Sequence, residues 1–181
     1  MTQNRTEEWF LSGNAKWRPT WSTPATMEQL RKYGQPPERP LMIVTCMDPR
    51  CEPSQFLNGA AGLFATVKNA GGRVTPDAIR SILVLRSLNT VSDAGTVAVI
   101  KHTDCGMTHL SDEQIRGDVK KRTPAQATQA DAIEFGTFTP EQLEDVLRED
   151  VQALKDEKML HGMDILGFVF ITETGELKKV C

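Results

Sequence analysis

Two short runs carry the groups that could do chemistry. Cys46-Met47-Asp48-Pro49-Arg50 follows directly on the apolar run Leu41–Thr45, and His102-Thr103-Asp104-Cys105 comes just after the apolar run Val97–Ile100. Two thiolates and one imidazole form a donor set that suits zinc. A His and a Cys three residues apart can reach one ion from a tight turn or a first helical turn. With Cys46, His102 and Cys105 as the only protein ligands, a fourth position stays open, as in catalytic zinc sites. A fourth protein ligand, Cys51 or Asp48, would instead close the site into a structural one. Asp48 and Arg50 are two residues apart and can lie on one side of an extended segment. An Arg–carboxylate fork there would keep Asp48 ionised and turned toward the ion. A solvated surface pair worth under ~1 kcal/mol is the alternative.

These groups converge only if the runs they follow are neighbouring strands. Leu41–Thr45, Leu63–Val67, Val97–Ile100 and Ile165–Ile171 are continuous apolar runs, which fits strands buried on both faces. Between the second and third, Pro76–Asn89 has Ile79, Ile82, Leu83 and Leu88 at helical spacing, with Thr75 or Pro76 to start it. Glu141–Leu160 places Leu143, Val146, Leu147, Val151 and Leu154 on one helical face, with Thr139 as N-cap. Strands alternating with helices imply an α/β fold: a mainly parallel central sheet with helices on both faces. Ligands of such sheets bind just beyond the carboxyl ends of the strands, where both runs fall. Thr174-Gly175 is a turn signal that folds Glu176–Val180 back as a C-terminal edge strand.

Residues 1–40 differ from 41–181. They hold all three tryptophans (Trp9, Trp17, Trp21) and five of the ten prolines, with helical pieces expected at Gln3–Leu11 and Met27–Tyr33. We read them as an N-terminal helical arm whose apolar residues cover either their own domain or a second subunit. The rest forms one zinc-binding α/β domain. A formal net charge of −3 offers no basic surface for nucleic acid, and Lys120-Lys121-Arg122 reads as a solvated helix end. No apolar run approaches the ~20 residues that span a bilayer. An N-terminus carrying Glu7 and Glu8 without an apolar stretch argues against a secretory signal, so a cytoplasmic location is expected. In a reducing compartment, the four cysteines favour metal binding or catalysis over disulfides.

The two runs together resemble the signature of β-class carbonic anhydrases, Cys-x-Asp-x-Arg followed by His-x-x-Cys-Gly: here Cys46-Met-Asp48-Pro-Arg50 and His102-Thr-Asp-Cys105-Gly106. Lys68-Asn69-Ala70-Gly71-Gly72-Arg73-Val74 resembles the family's Asn-Ala-Gly-Gly loop, and Gly167–Leu177 its last strand and hairpin. The similarity covers 41–110 and 165–177 well, and 1–40 and 111–140 poorly. Pro49 stands where many members have Ser. His102-Thr-Asp-Cys-Gly-Met107 resembles a short-chain branch that includes enzymes acting on carbonyl sulfide or carbon disulfide.

The resemblance implies one zinc ion per subunit on Cys46, His102 and Cys105, and reversible hydration of CO2 to bicarbonate by attack of zinc-bound hydroxide. Hydrolysis of carbonyl sulfide or carbon disulfide, releasing hydrogen sulfide, is the alternative; a non-catalytic zinc domain closed by Cys51 is the third. Because two thiolates cancel the charge of the ion, the activity is expected to rise above about pH 7. Asp48 and Arg50 are the expected catalytic pair, with Asp48 a fourth ligand if Arg50 lets go. Ala70, Gly71, Gly72 and Gly106 are expected to bring backbone close to the small linear substrate. Met47, Leu57, Phe64 and Met107 could line an apolar channel. Asp104 is expected to cap a helix starting near Cys105 and His109 to lie on the surface, while His161, Cys51 and Cys181 receive no role in the site. The family resemblance further implies a homodimer or homotetramer, with the arm wrapped on the partner.

Overall fold

The computed structural model describes residues 3–33, 41–59, 63–88 and 94–181. Helices α1 (Gln3–Trp17) and α2 (Met27–Tyr33) come first, then strand β1 (Leu41–Cys46), helix α3 (Pro53–Phe56), strand β2 (Phe64–Asn69), helix α4 (Pro76–Ser87) and strand β3 (Thr96–His102). Helices α5 (Asp112–Arg122), α6 (Ala127–Asp131) and α7 (Leu143–Asp156) follow, then strands β4 (Asp164–Ile171) and β5 (Glu176–Lys179). The five strands form one sheet in the order β2-β1-β3-β4-β5. Its first three pairings are parallel, and β5 is antiparallel to β4. This is the expected α/β architecture, edge strand included.

Side-chain alternation assigns the two faces. Met42, Val44 and Cys46 of β1, Val97 and Val99 of β3, and Ile165 and Val169 of β4 pack in one cluster with α4 (Ala78, Ile82) and α7 (Leu143, Val146, Leu147, Val151, Leu154). Ile43, Ala98, Ile100 and Phe170 point the other way, against Phe56 of α3 and Leu57. Both faces carry helix, as expected, but unequally: two long helices cover one, and the four-residue α3 lies on the other. The crossover from β1 to β2 runs opposite in direction to that from β2 to β3. Right-handed connections therefore put α3 and α4 on opposite sides.

Local signals set the helix starts. Thr75 accepts from the Ala78 N–H at 3.2 Å, with Pro76 in the first turn of α4. Ser111 and Gln114 form a capping box at α5, whose last turn holds Lys120, Lys121 and Arg122, where cations oppose the helix dipole. Helix α1 runs on to Trp17 through Gly13, beyond the expected Leu11. Helix α7 stops at Asp156, and a separate 3₁₀ turn spans Lys158–Leu160. Among the described residues, no helix is long and apolar enough to cross a membrane.

Candidate metal centre

Because β1 and β3 pair directly in parallel, their carboxyl ends lie side by side. Cys46 ends β1 and His102 ends β3. The chain then turns sharply at Asp104, whose φ of 51° is left-handed, and delivers Cys105 to the same point. The ligand-type atoms of Cys46, His102 and Cys105 all lie within 4.8 Å of one another, and all three residues are buried. The two Sγ atoms are 3.8 Å apart. Two sulfurs at about 2.3 Å from a tetrahedral zinc ion would be separated by about 3.8 Å.

The imidazole carries the clearest sign of a missing partner. Nδ1 of His102 donates to the Thr103 carbonyl at 2.8 Å, which fixes the tautomer and leaves the lone pair on Nε2. Nε2 is buried with no hydrogen-bond partner. An orphaned buried acceptor costs free energy unless something binds it, and a cation shared with two thiolates would. The sulfurs respond to each other in the same sense. The Cys105 thiol donates to Cys46 and pushes it toward thiolate, with help from the backbone N–H of Asp48 at 3.4 Å. For the same reason Cys105 is pushed up. The donor set therefore fits a soft divalent ion.

Arg50 meets Asp48 as a two-pronged fork: Nε is 3.1 Å from Oδ1 and Nη2 is 2.8 Å from Oδ2. The Arg50 backbone N–H also donates to Oδ1 at 2.8 Å. The guanidinium holds the Asp48 carboxyl down to about 2. Oδ2 of Asp48 then stands 4.0 Å from the orphaned His102 Nε2. Asp104 caps no helix, contrary to expectation. The turn at Gly106–Thr108 is a single 3₁₀ turn with Cys105 at its cap position. The Asp104 carboxylate instead accepts from Arg50 Nη1 at 2.7 Å and lies 2.9 Å from Nε2 of the exposed His109.

The loop after β2 explains its glycines. Gly71 and Gly72 have φ of 70° and 60°. A Cβ on Gly72 would lie 2.8 Å from the Cys46 nitrogen and the Thr45 carbonyl carbon. Asn69 closes the loop on itself, accepting from the Arg73 N–H at 2.7 Å and donating to the Arg73 carbonyl at 2.8 Å. The loop thus lies directly on the backbone of a candidate ligand. Gly106 has open space where a Cβ would be.

Cys51 is fully buried elsewhere, its Sγ 3.1 Å from Thr45 Oγ1, and burial pushes its thiol up. Cys181 lies near Gly167, and the His161 carbonyl accepts from Arg86. None of the three joins the cluster. The four expected channel residues do not converge within the chain. Met107 packs on the α4–α7 face, Leu57 and Phe64 pack on the opposite face, and Met47 is 64% exposed. Phe64 begins β2 beside Leu41, at the strand end away from Cys46.

Sequence reasoning missed Lys101 and Asp150. Lys101 follows Val97 and Val99 on the helix-covered face of β3 and is 1% exposed. Asp150 is buried on the apolar face of α7. Their side chains meet at 2.7 Å, and Asp150 also pairs with Arg73 Nε at 3.0 Å. The signal was present: a lysine and an aspartate each at a core position of an otherwise apolar pattern.

Residues 41–177 match the carbonic anhydrase family. The chain is 28% identical over 149 residues to beta-carbonic anhydrase 1 of Mycobacterium tuberculosis, covering 80% of this chain and 84% of that one. It is 32% identical over 171 residues to a carbon disulfide hydrolase of Acidianus sp., covering 82% and 81%. The crystal structure of a carbonic anhydrase from Streptococcus mutans superposes with a TM-score of 0.78 at 27% identity, over 96% of each chain. With the motifs, the sheet order and the Cys-His-Cys cluster already placed, these likenesses settle the affiliation: the chain belongs to the β-carbonic anhydrase family.

Proposed function

We propose that the protein is a zinc-dependent carbonic anhydrase, with the ion on Cys46 Sγ, Cys105 Sγ and His102 Nε2 and CO2 as its substrate. The orphaned His102 Nε2 beside two sulfurs 3.8 Å apart carries this reading. A zinc ion there supplies a Lewis acid that makes water acidic enough to attack the carbon of CO2 near neutral pH. The chain's own residues do the rest. Asp48, held ionised by Arg50, accepts a hydrogen bond from the attacking water and aims its lone pair. Arg50 also keeps Asp48 from swinging inward to become a fourth ligand. Ala70, Gly71, Gly72 and Gly106 border the site with backbone, leaving room for a small linear molecule.

A second reading keeps the site and changes the substrate to carbon disulfide or carbonyl sulfide, with release of hydrogen sulfide. The 32% identity to the Acidianus enzyme favours it. One purified sample assayed for CO2 hydration and for hydrogen sulfide release separates the two. Hydration without sulfide release supports the first reading, and sulfide release without hydration overturns it.

The same reading treats 1–40 as an arm and 41–181 as the catalytic domain. Trp9, Phe10 and Leu11 on α1 are each more than 60% exposed in the single chain, which supports a homo-oligomer with the arm against a partner. A cytoplasmic location completes the reading. Deleting residues 1–35 dissociates the assembly in sedimentation if the arm joins the subunits; an unchanged oligomer contradicts that role.

A further inference from the structure

Lys101 has nothing to do in the chemistry proposed so far, yet it is placed where a charged group is hardest to keep. It stands on β3 next to His102, one register step beyond the Thr45–Ile100 pair, and therefore alongside Cys46 on the same face of the sheet. Burial pulls its ammonium down and Asp150 holds it up. All three of its protons have acceptors: Asp150 Oδ2 at 2.7 Å, the Gly71 carbonyl at 3.1 Å and the Gly72 carbonyl at 3.3 Å. Asp150 is anchored in turn by Arg73 Nε and by the Val74 N–H at 3.2 Å. The cluster thus grips the chain at four successive residues, Gly71 to Val74.

That loop touches the metal ligands. Gly72 packs against the Cys46 nitrogen and Thr45 with no space for a Cβ, and the Met47 N–H donates to the Asn69 carbonyl at 2.8 Å. Two φ-positive glycines have little conformational preference of their own. Their position against Cys46 must therefore be imposed, and Lys101 is the group that binds both of their carbonyls. An apolar residue on β3 would fill the volume but would leave those two carbonyls without a donor.

We infer that Lys101, backed by Asp150, is a positioning residue that locks the Asn69–Gly72 loop onto Cys46 and so holds the thiolate in place for the metal. The inference rests on the proposed zinc site. Groups one layer behind metal ligands typically change metal affinity or activity by about 10- to 100-fold when removed.

Lys101→Met tests it, because Asp150 keeps Arg73 and the Val74 N–H and is not left unpaired. Lys101→Met/Asp150→Asn serves as the second variant should the first fold poorly. Zinc release to a chelator, kcat and thermal unfolding are measured on the variants and on the wild-type holoenzyme. We expect zinc release about 10-fold faster or more, and kcat about 10-fold lower, in a protein that still folds. A lowered melting temperature with wild-type zinc release and wild-type kcat would make Lys101 a packing residue and overturn the inference. A wild-type protein that takes up no zinc would overturn the zinc site itself, and the inference with it.

Discussion

Arg50 grips both carboxylate oxygens of Asp48, at 3.1 and 2.8 Å, and turns Oδ2 toward the unpartnered Nε2 of His102. Half of the guanidinium is open to solvent, so the contact is not a strong stabiliser of the fold. Its consequence is orientation. Asp104 holds Arg50 from the far side, which leaves the guanidinium little freedom to release Asp48. Arg50→Ala should therefore lower turnover by about 10- to 100-fold while the zinc content stays at the wild-type level. Steady-state kinetics paired with metal analysis checks this. Near-normal turnover would reduce the fork to an ordinary surface ion pair.

Gly72→Ala should be far more damaging than its size suggests. The new methyl would meet backbone atoms at 2.8 Å, and the φ of 60° is itself costly for a residue with a Cβ. Strain of that kind costs about 1–3 kcal/mol. Relief requires the loop to lift from Cys46. Thermal unfolding should show the loss of stability, and turnover should fall with it. A variant of unchanged stability and activity would contradict the close approach.

The pH dependence of activity can be assigned in part. The Asp48 carboxyl is held down to about 2 by Arg50, so it is ionised well before neutrality. With an ion held by Cys46, His102 and Cys105, a rise in activity above about pH 7 would come from the water that ion acidifies, because two thiolates would largely cancel its charge. A profile flat from roughly pH 6 to 9 would contradict the two-thiolate account.

Asp112 contributes to stability above its acid range. It accepts from the Thr137 hydroxyl at 2.6 Å and from the Thr137 and Phe135 N–H groups at 3.0 Å. These bonds hold its carboxyl down to about 2, below the ordinary 3.8. A folded-state value below the unfolded one stabilises fully above the unfolded value, and that contribution fades as pH falls from about 4 toward 2. Asp112→Asn should melt lower than wild type at neutral pH, and the gap should narrow through that acid window. A gap constant down to about pH 2 would sink the assignment.

The sheet, its four parallel strands and the meeting of Cys46 with His102 and Cys105 were legible in the sequence. Each rests on a continuous apolar run ended by a chemically distinctive residue. The role of Asp104 was not legible, because a cap and an arginine partner ask for the same residue type. Its bond from Arg50 and the cap position held by Cys105 separate the two readings. In the stretch 111–140 only a helix end at Lys120-Lys121-Arg122 and the N-cap Thr139 were read, and the extents of the helices were not. The stretch holds α5 and α6, whose faces are polar, so hydrophobic periodicity gives no signal there. The channel of Met47, Leu57, Phe64 and Met107 was drawn from residue type alone, and Phe64 lies beside Leu41, at the strand end away from Cys46. Lys101 and Asp150 escaped for a different reason. Each breaks the apolar pattern of its own element, and only the three-dimensional fold shows that the two breaks meet.

Metal analysis of the purified protein and its single-site variants bears most directly on the central claim. One zinc per chain is expected in the wild type and in Cys51→Ala, whose thiol lies buried against Thr45 rather than in the cluster. Cys46→Ser, His102→Ala and Cys105→Ser should each lose the ion. Zinc retained at full occupancy in those three variants, or lost in Cys51→Ala with the fold intact, would contradict the account.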